Sequence, residues 1–280
     1  MLSEVNNFVR RRCPPLHGAA KAIASRWMNS TSPAIPAIRR IRGQRLRMHP
    51  KFLTLNLDSI EPEVMNWIQK SLNPGSVALD IGANIGIHAM YMSKLVRASG
   101  AVFAFEPSPP NLALLSYHAR VNRLAQLKII KKAVSERDYG VVPFFLLNNG
   151  DNPSNSLTFG REEVPNLLPA VHKSLRAVEV ETVSVDRFCS DVNVRPDLIK
   201  IDVEGAELLV LKGCVRTLRA ARPTVILAIH PWWLPPGQTV ADISDFLADE
   251  GYRITDRHGA EVRNLEYGEY LCEPRQEHGI

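Results

Sequence analysis

Short apolar runs alternate along most of this chain with stretches whose apolar residues recur every three or four positions. Residues 77–81, 101–105, 127–133, 198–202 and 224–229 are dominated by Val, Ile, Leu, Ala and Phe. Runs this short and this apolar predict strands covered on both faces. Residues 61–72 place Val64, Trp67, Ile68 and Leu72 on one helical stripe. Residues 87–96, 111–124, 207–219 and 239–249 read as helices by the same periodicity. Residues 178–185 alternate as a half-buried strand should. Residues 52–57, 252–255 and 270–272 predict further short strands. Asn73-Pro74-Gly75 is a turn signal and Gly251 a helix stop. Residues 148–156, rich in Asn, Gly, Pro and Ser, predict a long polar loop.

Strands alternating with helices predict an α/β domain with a mostly parallel sheet and helices on both faces. Right-handed crossovers then open a crevice at the carboxyl ends of the strands. The chemistry is therefore expected in the residues just after each strand.

Composition narrows this picture. With 280 residues and 45% hydrophobic side chains, the chain can bury one sizeable core. It lacks the run of about 18 apolar residues that a membrane span needs. Its start lacks the apolar stretch of a secretory signal. Cys13, Cys189, Cys214 and Cys272 lie far apart, without CxxC or histidine partners at ligand spacing. A cytoplasmic protein without structural zinc or a disulfide framework is expected. The net charge of +5 is concentrated at the start. Arg10, Arg11, Arg12, Lys21, Arg26, Arg39, Arg40, Arg42, Arg45 and Arg47 face a single acid, Glu4, in the first fifty residues. This stretch reads as a solvated basic extension; transit peptides share its Arg-rich, acid-poor balance. Pro33, Pro36 and Gly43 make residues 33–50 a linker. The expected division is an extension over residues 1–50 and a catalytic domain over 51–280.

The first apolar run ends in Asp80-Ile81-Gly82-Ala83-Asn84-Ile85-Gly86. Gly82 permits a tight turn and close backbone approach, and Gly86 lets the next helix pack near the strand. A bound group can then lie against the helix N-terminus. The next run ends in Phe105-Glu106-Pro107, an acid at the spacing of a ribose-binding carboxylate. A nicotinamide cofactor fits poorly, because Asn84 replaces the second glycine of GxGxxG and Asp80 would repel a pyrophosphate. Asp80 suits the ammonium of a methionine moiety. The loop after the third strand, from Ala133, is placed to border an adenine.

The fourth run continues as Lys200-Ile201-Asp202-Val203-Glu204-Gly205-Ala206-Glu207. Alternation puts Lys200, Asp202 and Glu204 on one side, and charge on a central strand is costly without partners or function. Here the sequence resembles the FkbM family of methyltransferases. The matching pieces are LDIGANIG, FEPSP, KKAVSE, ETVSVDRF and DLIKIDVEGAELLVLKG, in the family's order from about Val77 onward. The resemblance implies a class I methyltransferase, Rossmann-like three-layer sandwich whose last strand is antiparallel. It implies S-adenosylmethionine as donor and O-methylation of sugars or polyketide-like products. By position, Asp80, Gly82, Asn84 and Gly86 would line the methionine and ribose, Glu106 would bind the ribose, and Asp202 and Glu204 would face the transfer site. Lys200 reads as an anchor for these carboxylates.

His230, at the end of the fifth strand, joins Asp202 and Glu204 as a candidate base. Trp232, Trp233 and the loop around Asn152, Asn155 and Ser156 are candidates for acceptor contact. Asp202 and Glu204 are oxygen ligands, but no third ligand stands out in the sequence, so no metal is expected. Rival readings are a nucleic-acid methyltransferase, a nicotinamide oxidoreductase and a non-catalytic binding protein. Asp202-Val203-Glu204-Gly205 stands where amino-group methyltransferases carry (D/N)PPY, so a small-molecule or glycan acceptor is expected rather than nucleic acid.

Overall fold

The computed structural model describes residues 35–53, 56–138, 140–147 and 175–275. The basic residues before position 35, Cys13, and the loop bearing Asn152, Asn155 and Ser156 lie outside them. The chain forms two compact units, Met1–Asp58 and Ser59–Ile280.

In the first unit, β1 (Ala37–Ile41) and β2 (Gln44–Met48) pair antiparallel. This hairpin replaces the linker expected over 33–50. Arg42 and Gly43 both take positive φ, 45° and 81°, which suits a two-residue turn matched to strand twist. Ile41, Leu46 and Met48 are buried, and Arg45 and Arg47 alternate outward. The strand expected over 52–57 does not form in the described residues. Pro50–Phe52 is a 3₁₀ turn whose Lys51 N–H donates to His49 Nδ1 at 3.2 Å.

The second unit carries a seven-stranded sheet in the order β5 (Leu127–Ile130), β4 (Ala101–Phe105), β3 (Val77–Ile81), β9 (Leu198–Ile201), β10 (Thr224–Ile229), β12 (Gly268–Pro274), β11 (Tyr252–Thr255). The first five run parallel, and β12 is antiparallel to both its neighbours. This is the Rossmann-like α/β sandwich of class I methyltransferases, with the last strand reversed as expected. The helices are α1 (Pro62–Ser71), α2 (Ile87–Val96), α3 (Pro109–Asn122), α4 (Val185–Val192), α5 (Glu207–Lys212), α6 (Val215–Ala221) and α7 (Val240–Asp249). Helix α2 packs on β3 and β4, α5 on β10 and α7 on β11. Leu79, Ile81, Ile199, Ile201, Val225, Leu227 and Ile229 meet Val210, Leu211 and Leu218 in one core. Each such buried side chain contributes about 1.5–3 kcal/mol.

Two expected elements divide. Residues 127–133 stop pairing in the main sheet at Ile130, and β6 (Ala133–Val134) joins β8 (Leu175–Val183), which also pairs with β7 (Val141–Leu147). The helix expected over 207–219 breaks at Gly213. The Gly213 carbonyl accepts the Asp186 N–H at 2.9 Å, and the Asp186 carboxylate then caps the N–H groups of Arg216 and Thr217 at the start of α6. Among the described residues no helix is long and apolar enough to cross a membrane.

Candidate active site

Five parallel strands deliver their carboxyl ends to one edge of the sheet, and with them Gly82, Glu106, Asp202 and His230. Two adjoining cavities open there. The first, about 620 Å³, is lined by Ile81, Asn84, Glu106, Ala133, Val134 and Phe144 among others. The second, about 1070 Å³, is lined by Glu61, His88, Lys200, His230, Tyr267 and Glu269 among others. Gly82, Asn84, Asp202 and Glu204 line both.

The turn after β3 is held by main-chain bonds. The Gly82 and Ala83 N–H groups donate to the Phe105 carbonyl, and the Gly86 N–H to that of Ala83. Both glycines hold a left-handed backbone in close contact with neighbouring groups. A Cβ on Gly82, at φ +81°, would lie 1.8 Å from the Asp202 carbonyl oxygen. One on Gly86, at φ +89°, would lie 2.3 Å from Leu115 Cδ1. Asn84 holds a left-handed conformation (φ 50°). Its N–H donates to Glu106 Oε2 at 2.8 Å, and the Ser108 N–H donates to Oε1 at 2.8 Å. Burial pushes the Glu106 carboxyl up to about 7 against the pull of these N–H groups. The Asn111 side chain also hydrogen-bonds this carboxylate, which lines the first cavity.

Asp80 is fully buried and lines neither cavity. It pairs in register with Lys200 across β3 and β9, so the two side chains share a face, with Lys200 Nζ 3.9 Å from Asp80 Oδ1. Burial lifts the Asp80 carboxyl to about 6 despite Lys200 and a backbone hydrogen bond from Ala89. Lys200 donates instead to Asp202 Oδ2 at 2.9 Å. Burial alone would lower the Lys200 ammonium, but Asp202, Asp80 and Glu61 together hold it above its ordinary value. Burial alone would raise Asp202, but Lys200 and His230 draw it below the ordinary value. The link from Asp80 to the second cavity therefore runs through Lys200.

After β9 the backbone reverses at Glu204 (φ 52°) and Gly205 (φ 98°). Gly205 is a glycine because a Cβ there would lie 2.1 Å from the Trp233 carbonyl oxygen. The reversal turns Glu204 toward His230, whose Nε2 lies 3.7 Å from Glu204 Oε1 and 3.8 Å from Asp202 Oδ1. The other ring nitrogen, Nδ1, lies 2.7 Å from Oε1 of the buried Glu207. Burial pushes Glu204 up to about 7, with His230 pulling the other way. Burial would lower His230, but Glu207, Glu204 and Asp202 carry it up to about 9. Asp202, Glu204 and His230 each offer one ligand atom, all within 4.8 Å of one another.

Tyr267, Glu61 and His88 were not singled out in the sequence. Because β12 is antiparallel, its first residue, Gly268, pairs with Ile229. Tyr267 thereby lies beside His230, with ring centroids 6.0 Å apart. His88 Nε2 lies 3.3 Å from Glu61 Oε2. The reversed strand was the available signal for Tyr267; nothing local marked the other two. Trp232 is exposed and Trp233 half-buried.

The residues fit a nucleoside bearing a cationic group. The first cavity joins the buried Glu106 carboxylate and Lys132 to apolar walls, and two carboxylates, Asp202 and Glu204, stand where the cavities meet. Known proteins agree. Over 174 residues the chain is 30% identical to hexuronic acid methyltransferase AglP of Haloferax volcanii, covering 61% of this chain and 62% of that protein. Over 186 residues it is 30% identical to 2-O-methyltransferase NoeI of Sinorhizobium fredii, covering 64% and 73%. A solved methyltransferase FkbM from Methylobacillus flagellatus aligns at 16% identity and TM-score 0.46, over 72% of this chain and 44% of that one. The methyltransferase FkbM domain matches residues 80–254, from the buried Asp80 to the middle of β11. The chain belongs to the FkbM family of S-adenosylmethionine-dependent methyltransferases.

Proposed function

We propose that the protein transfers a methyl group from S-adenosylmethionine to a hydroxyl oxygen of a small or medium-sized acceptor, a sugar, glycan or natural product. The observation that carries this is the convergence of Asp202, Glu204 and His230 where the two cavities meet. In this reading the first cavity takes the nucleoside, with Glu106 accepting from the ribose hydroxyls and Ala133 and Val134 against the adenine. Gly82, Asn84 and Gly86 shape the turn beside it, and Asp80 acts through Lys200. When bound, S-adenosylmethionine supplies an electrophilic methyl on a sulfonium. The acceptor enters the second cavity. Asp202, Glu204 and His230 would hold its hydroxyl toward the methyl, and transfer would form a C–O bond and leave the electron pair of the broken C–S bond on sulfur. The hydroxyl proton passes to the Asp202, Glu204 and His230 cluster. Alignment of this kind supplies on the order of 7–11 kcal/mol, and a positioned base adds about 10² to 10⁴ in rate.

The hydroxyl acceptor is supported by the names of the two relatives, one acting on a hexuronic acid and one at a 2-oxygen. The chain spans 62% of the length of the first, so its own acceptor is part of the proposal. A nucleic acid fits poorly, because Glu61, Glu204 and Glu269 line the acceptor cavity and would repel phosphate. Buried free thiols at Cys189, Cys214 and Cys272 agree with work in the cytoplasm. Calorimetric titration of S-adenosylmethionine and its demethylated product into wild type and Glu106→Ala tests the cofactor site. A labelled-methyl screen of hydroxylated acceptors tests the reaction. No binding by folded wild-type protein overturns the reading.

A further inference from the structure

We propose that Asp202, Glu204 and His230 hold a divalent metal ion at the junction of the two cavities. The ion's role in the reaction rests on the proposed methyl transfer; its binding does not. His230 Nε2 lies 3.8 Å from Asp202 Oδ1 and 3.7 Å from Glu204 Oε1. These separations exceed a hydrogen bond, which ends near about 3.2 Å for nitrogen and oxygen. They match two ligands of one ion. Ligand atoms about 2.1 Å from a shared cation stand roughly 3 to 4 Å apart.

The surroundings orient each donor. The ring N–H at His230 Nδ1 donates to Glu207 Oε1 at 2.7 Å, which leaves Nε2 facing the two carboxylates, where a metal ion would take the place of its proton. A buried carboxylate behind the histidine is the arrangement that fixes the tautomer of metal-binding imidazoles. Lys200 occupies Asp202 Oδ2 at 2.9 Å, so Oδ1 is the oxygen left facing His230. The left-handed turn at Glu204 and Gly205 brings the third donor back to the same point. Glu61 and Glu269 line the same cavity as Asp202 and Glu204, and Glu207 stands behind His230, against the ammonium of Lys200. A mixed carboxylate and imidazole set suits Mn²⁺ or a similar first-row ion over Ca²⁺. Three protein ligands leave positions open to the cavity. An acceptor hydroxyl bound there would be oriented and made more acidic. The sequence offered two of these ligands side by side, and the fold brings the third from the end of β10.

The test is Mn²⁺ binding to chelator-stripped protein, followed by loss of the free-ion electron spin resonance signal and by calorimetry. S-adenosylmethionine affinity and circular dichroism report on folding. One Mn²⁺ per wild-type chain is expected. Glu204→Gln and His230→Ala should each weaken it about tenfold or more, and Glu207→Gln by less, with cofactor affinity kept. Millimolar or absent Mn²⁺, Mg²⁺ and Zn²⁺ binding by wild type, with and without cofactor product, overturns the proposal. Binding unchanged in Glu204→Gln overturns it too, and that variant is read even if His230→Ala does not fold. Cofactor binding without metal binding defeats this inference alone; loss of cofactor binding in the wild type defeats the proposed function and leaves the Mn²⁺ result readable.

Discussion

Glu207 Oε1 accepts from His230 Nδ1 at 2.7 Å and from the Gly205 N–H at 3.0 Å, tying the end of β10 to the turn that carries Glu204. Glu207→Ala removes both bonds and leaves a buried N–H without a partner, at about 1–3 kcal/mol. The imidazole loses the group that fixes its orientation. The expected result is a fall in kcat of about 10- to 100-fold, with the Kd for S-adenosylmethionine unchanged. Glu207→Gln keeps an oxygen in place and should restore most of kcat. Urea denaturation, steady-state kinetics and calorimetry separate the two effects. Full kcat in Glu207→Ala would show that Glu207 only packs.

Glu106 gives the cofactor site a pH dependence with a defined sign. Burial lifts its carboxyl from 4.5 to about 7. Between those values the folded, cofactor-free protein keeps a proton that the unfolded chain releases. Stability from this group therefore declines as pH rises through that window, and Glu106→Gln should abolish its share of the slope. Ribose hydroxyls donating to the carboxylate favour the ionised form. S-adenosylmethionine should then bind up to about tenfold more tightly near pH 8 than near pH 6. Calorimetry at both values checks this; equal affinities in the wild type would remove Glu106 from the ribose.

Much of this architecture was legible because parallel strands buried on both faces leave apolar runs with sharp ends. Residues 77–81, 101–105 and 224–229 coincide with β3, β4 and β10. The edge of the sheet that holds the chemistry followed from topology alone. The hairpin at Ala37–Met48 was hidden because Arg40, Arg45 and Arg47 hold most of its outward positions and its turn uses Arg-Gly in place of Asn-Gly. The break at Gly213 depends on a long-range bond to Asp186, which local periodicity does not encode. Within the site, Gly82, Glu106, Asp202 and His230 were marked by their place after strands. The burial of Asp80 behind Lys200 was not, since it depends on the register of β3 against β9. Tyr267 reaches the site only through the reversed β12.

The two glycines of the turn after β3 should differ in tolerance. A Cβ at Gly82 would meet the backbone oxygen of Asp202 at 1.8 Å, and β9 cannot yield without breaking the ladder between β3 and β9. Overpacking and the positive φ together predict a loss of about 2–6 kcal/mol in Gly82→Ala. A Cβ at Gly86 would meet the tip of Leu115 at 2.3 Å, which can rotate away, so Gly86→Ala should cost about 1–3 kcal/mol. Urea denaturation ranks them. Equal stabilities would mean that Gly82 is not fixed by contact with Asp202.

Trp232 and Tyr267 form an aromatic pair beside His230, with ring centroids 5.1 Å apart and planes tilted by 40°. They are 54% and 62% exposed, so neither ring is held by the core. Tyr267 lines the cavity assigned to the acceptor. Removing an exposed ring should change stability by no more than about 0.5 kcal/mol. An acceptor stacked on the pair would lose about 0.5–1.5 kcal/mol of binding, a rise in KM of roughly 2- to 10-fold. Trp232→Ala and Tyr267→Ala should therefore raise the acceptor KM with kcat and the cofactor Kd preserved, and Tyr267→Phe should behave as wild type. Because the rings touch, the double variant should lose less than the two single losses combined. An unchanged KM in both single variants would free the pair from acceptor binding and confine recognition to the polar groups deeper in the cavity.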